Sequence, residues 1–268
     1  MDGRDVKLLV AILLAAVVAG AAWYFRDQLL PQPEQAMTTP PEPAIVEAGA
    51  EEGPEHPIAP PEVAEPVRRN LVTLPPLDDS DGYFLLELAD VFGADIETLL
   101  VKEALIDKFV ATVDNLPRDH VAEKVRPVGR LAEPFRVVAA DSDGPIYLSA
   151  ENHRRYDLLI SRIATADIDS IVDTYRRFYP LFQESYERLG YPDGYFNDRV
   201  VEVIDHLLAT PQPDEPIRLV RPHVLYEFAD PQLQALSSGQ KLMLRVGSDH
   251  AVTVKRVLRD LRTQLARQ

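Results

Sequence analysis

The stretch DIDSIVDTYRRFYPLFQESYERLG, residues 167–190, spaces Ile168, Ile171, Val172, Tyr175, Phe178, Phe182, Tyr186 and Leu189 by three and four. That period lays them along one face of an α-helix, and Gly190 supplies the stop. Pro180 lies inside the pattern, where its ring would clash with the carbonyl of Arg176; the helix is expected to bend there or split in two.

Downstream, Tyr191-Pro192-Asp193-Gly194 reads as a turn, and Tyr195 to Leu208 gathers Val200, Val203, Ile204 and Leu207 on one side of a further helix. Short helices are expected from Pro231 and from Ser238, then a long one from Ser248 towards Arg267. Upstream, Leu71 to Asp81 reads as an extended arm ending in helix-capping Asp and Ser. Helical spacing then runs through Tyr83 to Phe92, breaks at Gly93, and resumes from Asp95 to about Val113.

Two stretches lose the helical rhythm. Phe135-Arg136-Val137-Val138 and Ile146-Tyr147-Leu148 flank the turn residues Asp141-Ser142-Asp143-Gly144, a hairpin signal. Ile217 to Phe228 alternates around Pro222, which demotes it to an edge or divides it into two short strands. The expected fold class is mainly α with a small antiparallel β hairpin or sheet (α+β), formed by one globular domain over residues 71–268 without internal repeat.

Ahead of that domain, Val6 to Phe25 (VKLLVAILLAAVVAGAAWYF) is nearly continuous apolar sequence, long enough as a helix to span roughly 30 Å of hydrocarbon. Val6, Leu9, Leu13 and Val17 would face lipid, while Trp23 and Phe25, followed by Arg26, match an interfacial belt and charged stop. A cleaved signal peptide is the competing reading. The weak charge balance before the run and its length, beyond the about 15 residues of a signal h-region, favour an uncleaved anchor. Arg4 and Lys7 precede the span and the next basic residue after Arg26 is Arg68, so residues 1–5 are expected in the cytoplasm and the domain in the periplasm.

Residues 26–70 read as a disordered stalk. Between Pro31 and Pro66 there are eight Glu and no Lys or Arg, a composition that cannot bury enough apolar surface to offset its ordering entropy. The first thirty residues balance three acids against three bases, so the domain holds −7 of the net −15. Such a domain lacks the basic field that drives nucleic-acid binding. With no cysteine in the chain, disulfides and thiolate chemistry are excluded as well.

Eight of the nineteen Tyr and Phe residues fall between Tyr175 and Phe196. Most lie on the helix stripe and read as core; Tyr179, Tyr191 and Tyr195 lie off it and are candidate contacts for a partner or a glycan ring. Arg176, Arg177, Asn197 and Arg199 are candidate ligand contacts beside them, the arginines able to grip a carboxylate or phosphate. Internal ion pairs with Asp173, Asp193 and Glu184 would use the same groups. On the polar side of the Tyr195–Leu208 helix, Asp198, Glu202 and His206 are one-turn neighbours that could serve as acid and base or hold a metal. A solvated helix face is the simpler reading of them, and with no second ligand motif no metal or cofactor is expected. Ser238-Gly239-Gln240-Lys241 has the serine-to-lysine spacing of penicillin-binding enzymes, but no Lys-Thr-Gly follows, and a Ser opening a helix is most simply its N-cap.

The phrases Leu74-Pro75-Pro76-Leu77-Asp78-Asp79-Ser80-Asp81, Val113-Asp114-Asn115-Leu116-Pro117, Tyr179-Pro180-Leu181-Phe182-Gln183, Leu189-Gly190-Tyr191-Pro192, Tyr195-Phe196-Asn197-Asp198-Arg199, Phe228-Ala229-Asp230-Pro231 and Ser238-Gly239-Gln240-Lys241 together resemble the bacterial family known as domain of unknown function 3014. The resemblance spans residues 71–268 and implies a single-span envelope protein of Gram-negative bacteria; it carries no activity and no catalytic residue. The sequence therefore points to a membrane-anchored periplasmic binding or scaffold domain with the inner membrane and an envelope protein as partners. The alternative is an enzyme on peptidoglycan or its precursors, working through Asp198, Glu202 and His206.

Overall fold

The computed structural model describes residues 53–58, 74–129, 134–139, 144–165, 167–214, 216–223 and 225–266. The anchor residues Val6, Leu9, Leu13, Val17, Trp23 and Phe25 lie outside them. Among the described residues no helix is long and apolar enough to cross a membrane.

The arm before the first helix ends in a 3-10 turn, Leu77–Asp79, and Ser80 does not cap the helix that follows. Its hydroxyl donates back to the Leu77 carbonyl at 2.7 Å. Helix α1, Asp81–Phe92, closes at Gly93, whose φ of 88° lies in the region that favours glycine. The second helix is shorter than its sequence period predicts. A 3-10 turn covers Ala94–Thr98, and α2 begins only at Leu105 and runs to Asn115. Backbone bonds explain the interruption: Val101 N–H donates to Pro127 O (2.8 Å) and Gly129 N–H to Leu99 O (2.7 Å), drawing residues 99–101 out of the helix. The Asp81 carboxylate then accepts from the N–H groups of Ala104 and Leu105, both at 2.7 Å, capping α2 from another element.

Strands β1 (Val137–Ala139) and β2 (Ile146–Leu148) form the expected hairpin, pairing Val138 with Tyr147. The chain then leaves the sheet to build α3 (Glu151–Arg154), α4 (Asp157–Ala164), α5 (Ile168–Arg188) and α6 (Phe196–Leu208). It returns with β3 (Arg218–Val220) and β4 (Glu227–Phe228), split on either side of Pro222. The sheet order is β1-β2-β3-β4, antiparallel throughout, with Ile146 opposite Leu219 and Leu219 opposite Phe228. Helices α7 (Pro231–Gln234), α8 (Ser238–Arg245) and α9 (Ser248–Leu265) complete the described chain.

Helix α5 is not split at Pro180: it runs unbroken for 21 residues with its N-terminus capped by Asp167. The aromatic face accounts for this. Phe182 is 1 % exposed, and its ring meets Phe84 of α1 (5.6 Å), Phe109 of α2 (5.2 Å) and Phe196 of α6 (5.9 Å). Burying one such side chain stabilises by about 1.5–3 kcal/mol, and Tyr175, Phe178, Phe182 and Tyr186, all buried on this face, together outweigh the lost hydrogen bond to Arg176 O and the ring clash that Pro180 brings. Helix α9 packs across α4, α5 and α6 to close the body. A smaller core of Leu148, Ile217, Leu219, Phe228, Leu233 and Leu244 lies beneath the sheet.

Candidate functional site

The aromatic and polar residues singled out by sequence meet at the turn from α5 into α6. Gly190 has φ 119°, and the following loop folds back so that Tyr191 stacks on Tyr186 at 4.6 Å. Gln183 fixes the start of α6. Its Nε2 donates to Gly194 O (2.7 Å), while its Oε1 accepts from Phe196 N–H (2.9 Å) and Tyr179 Oη (3.1 Å). Burial pushes the Tyr179 hydroxyl up to about 12, so it remains a donor.

From this first turn of α6, Asn197 and Asp198 hold a piece of the chain far away in sequence. Asp198 accepts two successive backbone N–H groups, Glu55 at 3.0 Å and His56 at 2.6 Å. Asn197, fully buried, donates from Nδ2 to His56 O (2.8 Å) and Leu265 O (3.3 Å), and its Oδ1 is sealed without a partner among the described residues. Pro54, His56 and Ile58 are half-buried and alternate with exposed neighbours; Ile58 rests on the main core. Residues 53–58, which by composition belong to the stalk, thus lie on the domain. Every polar contact of the clasp is to main chain, and a carboxylate at a helix N-terminus is favoured in that role by the helix dipole.

The arginines are held by acids of the chain itself. Arg199 donates from Nε to Asp114 Oδ1 (3.0 Å), from Nη2 to Asp114 O (2.7 Å) and from Nη1 to Glu202 Oε2 (2.7 Å). Asp114, whose side chain is only 4 % exposed, also accepts from Arg118 Nη2 (2.6 Å) and Tyr191 Oη (3.3 Å). Arg177 pairs with Glu87, and Arg176 approaches Asp173 at 3.9 Å with its Nε buried and unpartnered among the described residues. Of the three partners expected from sequence, Asp173 pairs as expected; Glu184 pairs instead with Arg188 at 2.6 Å. Tyr195 is the exposed aromatic beside the clasp, at 37 %.

Asp198, Glu202 and His206 do not share a site. The first holds the 53–58 segment, the second pairs with Arg199, and His206 Nε2 lies 2.7 Å from Ser237 Oγ. Among the described residues no group of three or more His, Asp and Glu could hold a metal ion. Ser237, not Ser238, is the N-cap of α8: its Oγ accepts from Gln240 N–H at 3.2 Å, in a reciprocal capping box. Ser238 is the first helical residue.

Two residues that organise the site, Asp114 and Gln183, stand in the sequence only within the phrases shared with the family and are not among the candidate site residues. Asp114 carries a faint signal, an acid on a helix whose neighbours Phe109, Val110 and Val113 are apolar. Gln183 has no such signal of its role, because Gly194 and Phe196, the partners that fix the start of α6, follow the turn that it stabilises.

The class defined by this architecture is a mainly helical α+β domain, with a four-stranded antiparallel sheet against its helical body and a peptide segment clasped at one helix start. The chain belongs to the family described as protein of unknown function (DUF3014), whose model matches residues 105–262. The match runs from the first residue of α2 into α9; it includes Asp114, Gln183, Asn197 and Asp198 and leaves out α1 and residues 53–58. Neither a curated protein nor a solved structure matches the chain.

Proposed function

We propose that the protein is a single-pass protein of a bacterial inner membrane, N-terminus in the cytoplasm, whose periplasmic domain acts as a binding or scaffold module for an envelope protein. Residues 6–25 supply the apolar length for the anchor, and Arg4 and Lys7 before it supply the charge bias for that orientation.

The observation that carries the binding reading is the clasp of Asn197 and Asp198 on the main chain of Glu55 and His56. Contacts to peptide N–H and C=O groups accept many side-chain sequences, which suits a module that holds a peptide. The same carboxylate, already accepting two N–H groups, is poorly placed to act as a general base. In this reading the stalk occupies the clasp until a partner segment of similar backbone shape replaces it.

The test uses full-length protein in cells. A photo-crosslinking residue at Tyr195 is expected to give an adduct with one envelope protein, and Asp198→Ala to change its yield while exchange of the Glu55 and His56 amides accelerates. The chain has no native cysteine, so Asp193→Cys, on an exposed loop, should react with a membrane-impermeant maleimide in intact spheroplasts. Absence of any adduct, together with turnover of peptidoglycan by the purified chain, would overturn the binding reading. Protection of that cysteine until the membrane is broken would overturn the orientation.

A further inference from the structure

Where the sheet meets the helical body, a cleft of about 100 Å³ opens between the loop at Asp119 and His120, the hairpin residues Tyr226 and Glu227, and helix α8. Ser238, Lys241 and Arg245, at positions i, i+3 and i+7 of α8, line one wall together. The first amides of α8 take no part: Ser238 N–H donates to Arg118 O (2.8 Å), Gly239 N–H to Leu116 O (3.0 Å), and Gln240 N–H is capped by Ser237. Whatever the cleft recognises, it recognises with side chains.

Two of those side chains are unspent. Ser238 is 93 % buried, 7 % of its surface remaining accessible, yet among the described residues its hydroxyl has no hydrogen-bond partner. That oxygen is not among the polar atoms sealed in the interior, so its remaining surface opens on the cleft it lines. Lys241, half-buried, has no ion-pair partner within 4.0 Å among the described residues, although Asp119 and Glu227 stand on the facing walls. A buried hydroxyl and a half-buried ammonium left without partners each carry a desolvation cost that a bound acceptor would offset.

Charge narrows the acceptor. Lys241 and Arg245 lie one turn apart and repel; burial and the Arg245 charge both push the Lys241 ammonium down, and Asp119 and Glu227 only partly oppose them. An anion between Ser238 and Lys241 would relieve that repulsion. Asp119 and Glu227 would in turn repel a dianion such as phosphate, and would welcome an N–H or ammonium group on the same ligand. Burial and the nearby Arg126 charge push the His120 imidazole down, which leaves the rim without a further cation near neutral pH.

We infer that this cleft binds the carboxylate of an amino acid or of a peptide C-terminus, Lys241 and the Ser238 hydroxyl holding the two oxygens while Asp119 and Glu227 face its nitrogen end. This site is separate from the clasp at Asp198 and does not depend on it.

Calorimetric titration of the full-length protein in detergent tests it with glycine, acetyl-glycyl-glycine, the C-terminal amide of that dipeptide, and inorganic phosphate. One of the two carboxylates should bind with a Kd on the order of 1 mM, glycine identifying a free amino acid and the acetylated dipeptide a chain end. Lys241→Gln should weaken that binding by about tenfold or more, and Ser238→Ala by several-fold, while Lys241→Arg retains it. A second readout does not require the variants to fold: trace acetylation followed by peptide mass analysis should find Lys241 protected by the bound carboxylate and not by the amide. Equal binding of the amide, preference for phosphate, no binding of either carboxylate, or unprotected Lys241 would each overturn the inference.

Discussion

Asp114 shows what one buried charge does in this fold. It accepts from Arg118, Arg199 and Tyr191, groups brought by the turn after α2, by α6 and by the turn between α5 and α6, so its removal strands Arg199, whose side chain is only 17 % exposed. Asp114→Ala is expected to cost about 3 kcal/mol, read from the urea midpoint, and Asp114→Asn distinctly less because it keeps an acceptor. His206 supplies a pH dependence. Burial lowers its pKa below 6.5, with the Glu202 carboxylate opposing and the Arg199 charge adding, so the folded chain favours the neutral ring. The Ser237 hydroxyl can then donate to Nε2 while accepting from Gln240 N–H. Because the unfolded chain takes up the proton first, stability is complete above pH 6.5 and falls as pH drops from there through the lower folded value. Thermal unfolding of the wild type between pH 7.5 and 5 should show that loss, and His206→Gln should reduce it, the remainder coming from His120, whose pKa burial and the Arg126 charge also lower. At this scale the sequence pointed to Asn197, Asp198, Arg199 and Tyr191 by type and proximity. Their partners stayed hidden: Asp198 meets an amide 142 residues away and Arg199 a carboxylate 85 residues away, pairings that only the tertiary fold creates.

Elements were legible where one local force dominates. The aromatic period of α5, its stop at Gly190 and the division of the Ile217–Phe228 stretch at Pro222 follow from side chains within a turn or two. The segment 95–113 departs from its helical spacing because long-range backbone bonds from Val101 to Pro127 and from Gly129 to Leu99 outweigh that spacing, and because Asp81 sets the start of α2 from 24 residues upstream. Pro180 is the converse case, a local breaker overruled by packing. Since Pro180 is exposed and Arg176 O lacks its helical partner there, Pro180→Ala should raise stability by about 1 kcal/mol in denaturant unfolding, the restored bond outweighing the looser unfolded chain. A loss instead would mean that packing of α5 requires the proline. Gly239 answers to a different constraint: a Cβ there would lie 2.7 Å from Leu207 Cδ2 and 3.1 Å from Leu116 O, where α8 crosses the end of α2 and α6. Gly239→Ala is therefore expected to cost about 1–3 kcal/mol, while circular dichroism keeps its helical shape.

At the scale of the molecule, composition does not say how the helices and the strands divide into parts. The sheet joins two hairpins through Ile146 and Leu219, 73 residues apart, a register with no local signal to announce it. Beneath it the core of Leu148, Ile217, Leu219, Phe228, Leu233 and Leu244 is distinct from the main cluster centred on Phe182. A small apolar cluster under short strands has less to lose on opening than a body in which one ring touches three other helices, so the two parts should differ in local stability. Phe182→Ala should cost about 3–5 kcal/mol and accelerate exchange of the slowest amides throughout α2, α5 and α6. Leu219→Ala should cost about 2–3 kcal/mol, confined by hydrogen exchange to the strands and α8, with the helical body still protected. The cleft at Ser238 and Lys241 lies on the seam between the two parts, and the clasp at Asp198 lies wholly on the body. Leu219→Ala should therefore impair carboxylate binding and leave exchange at Glu55 and His56 unchanged; if both change together, the domain opens as one unit and the division into two parts is wrong.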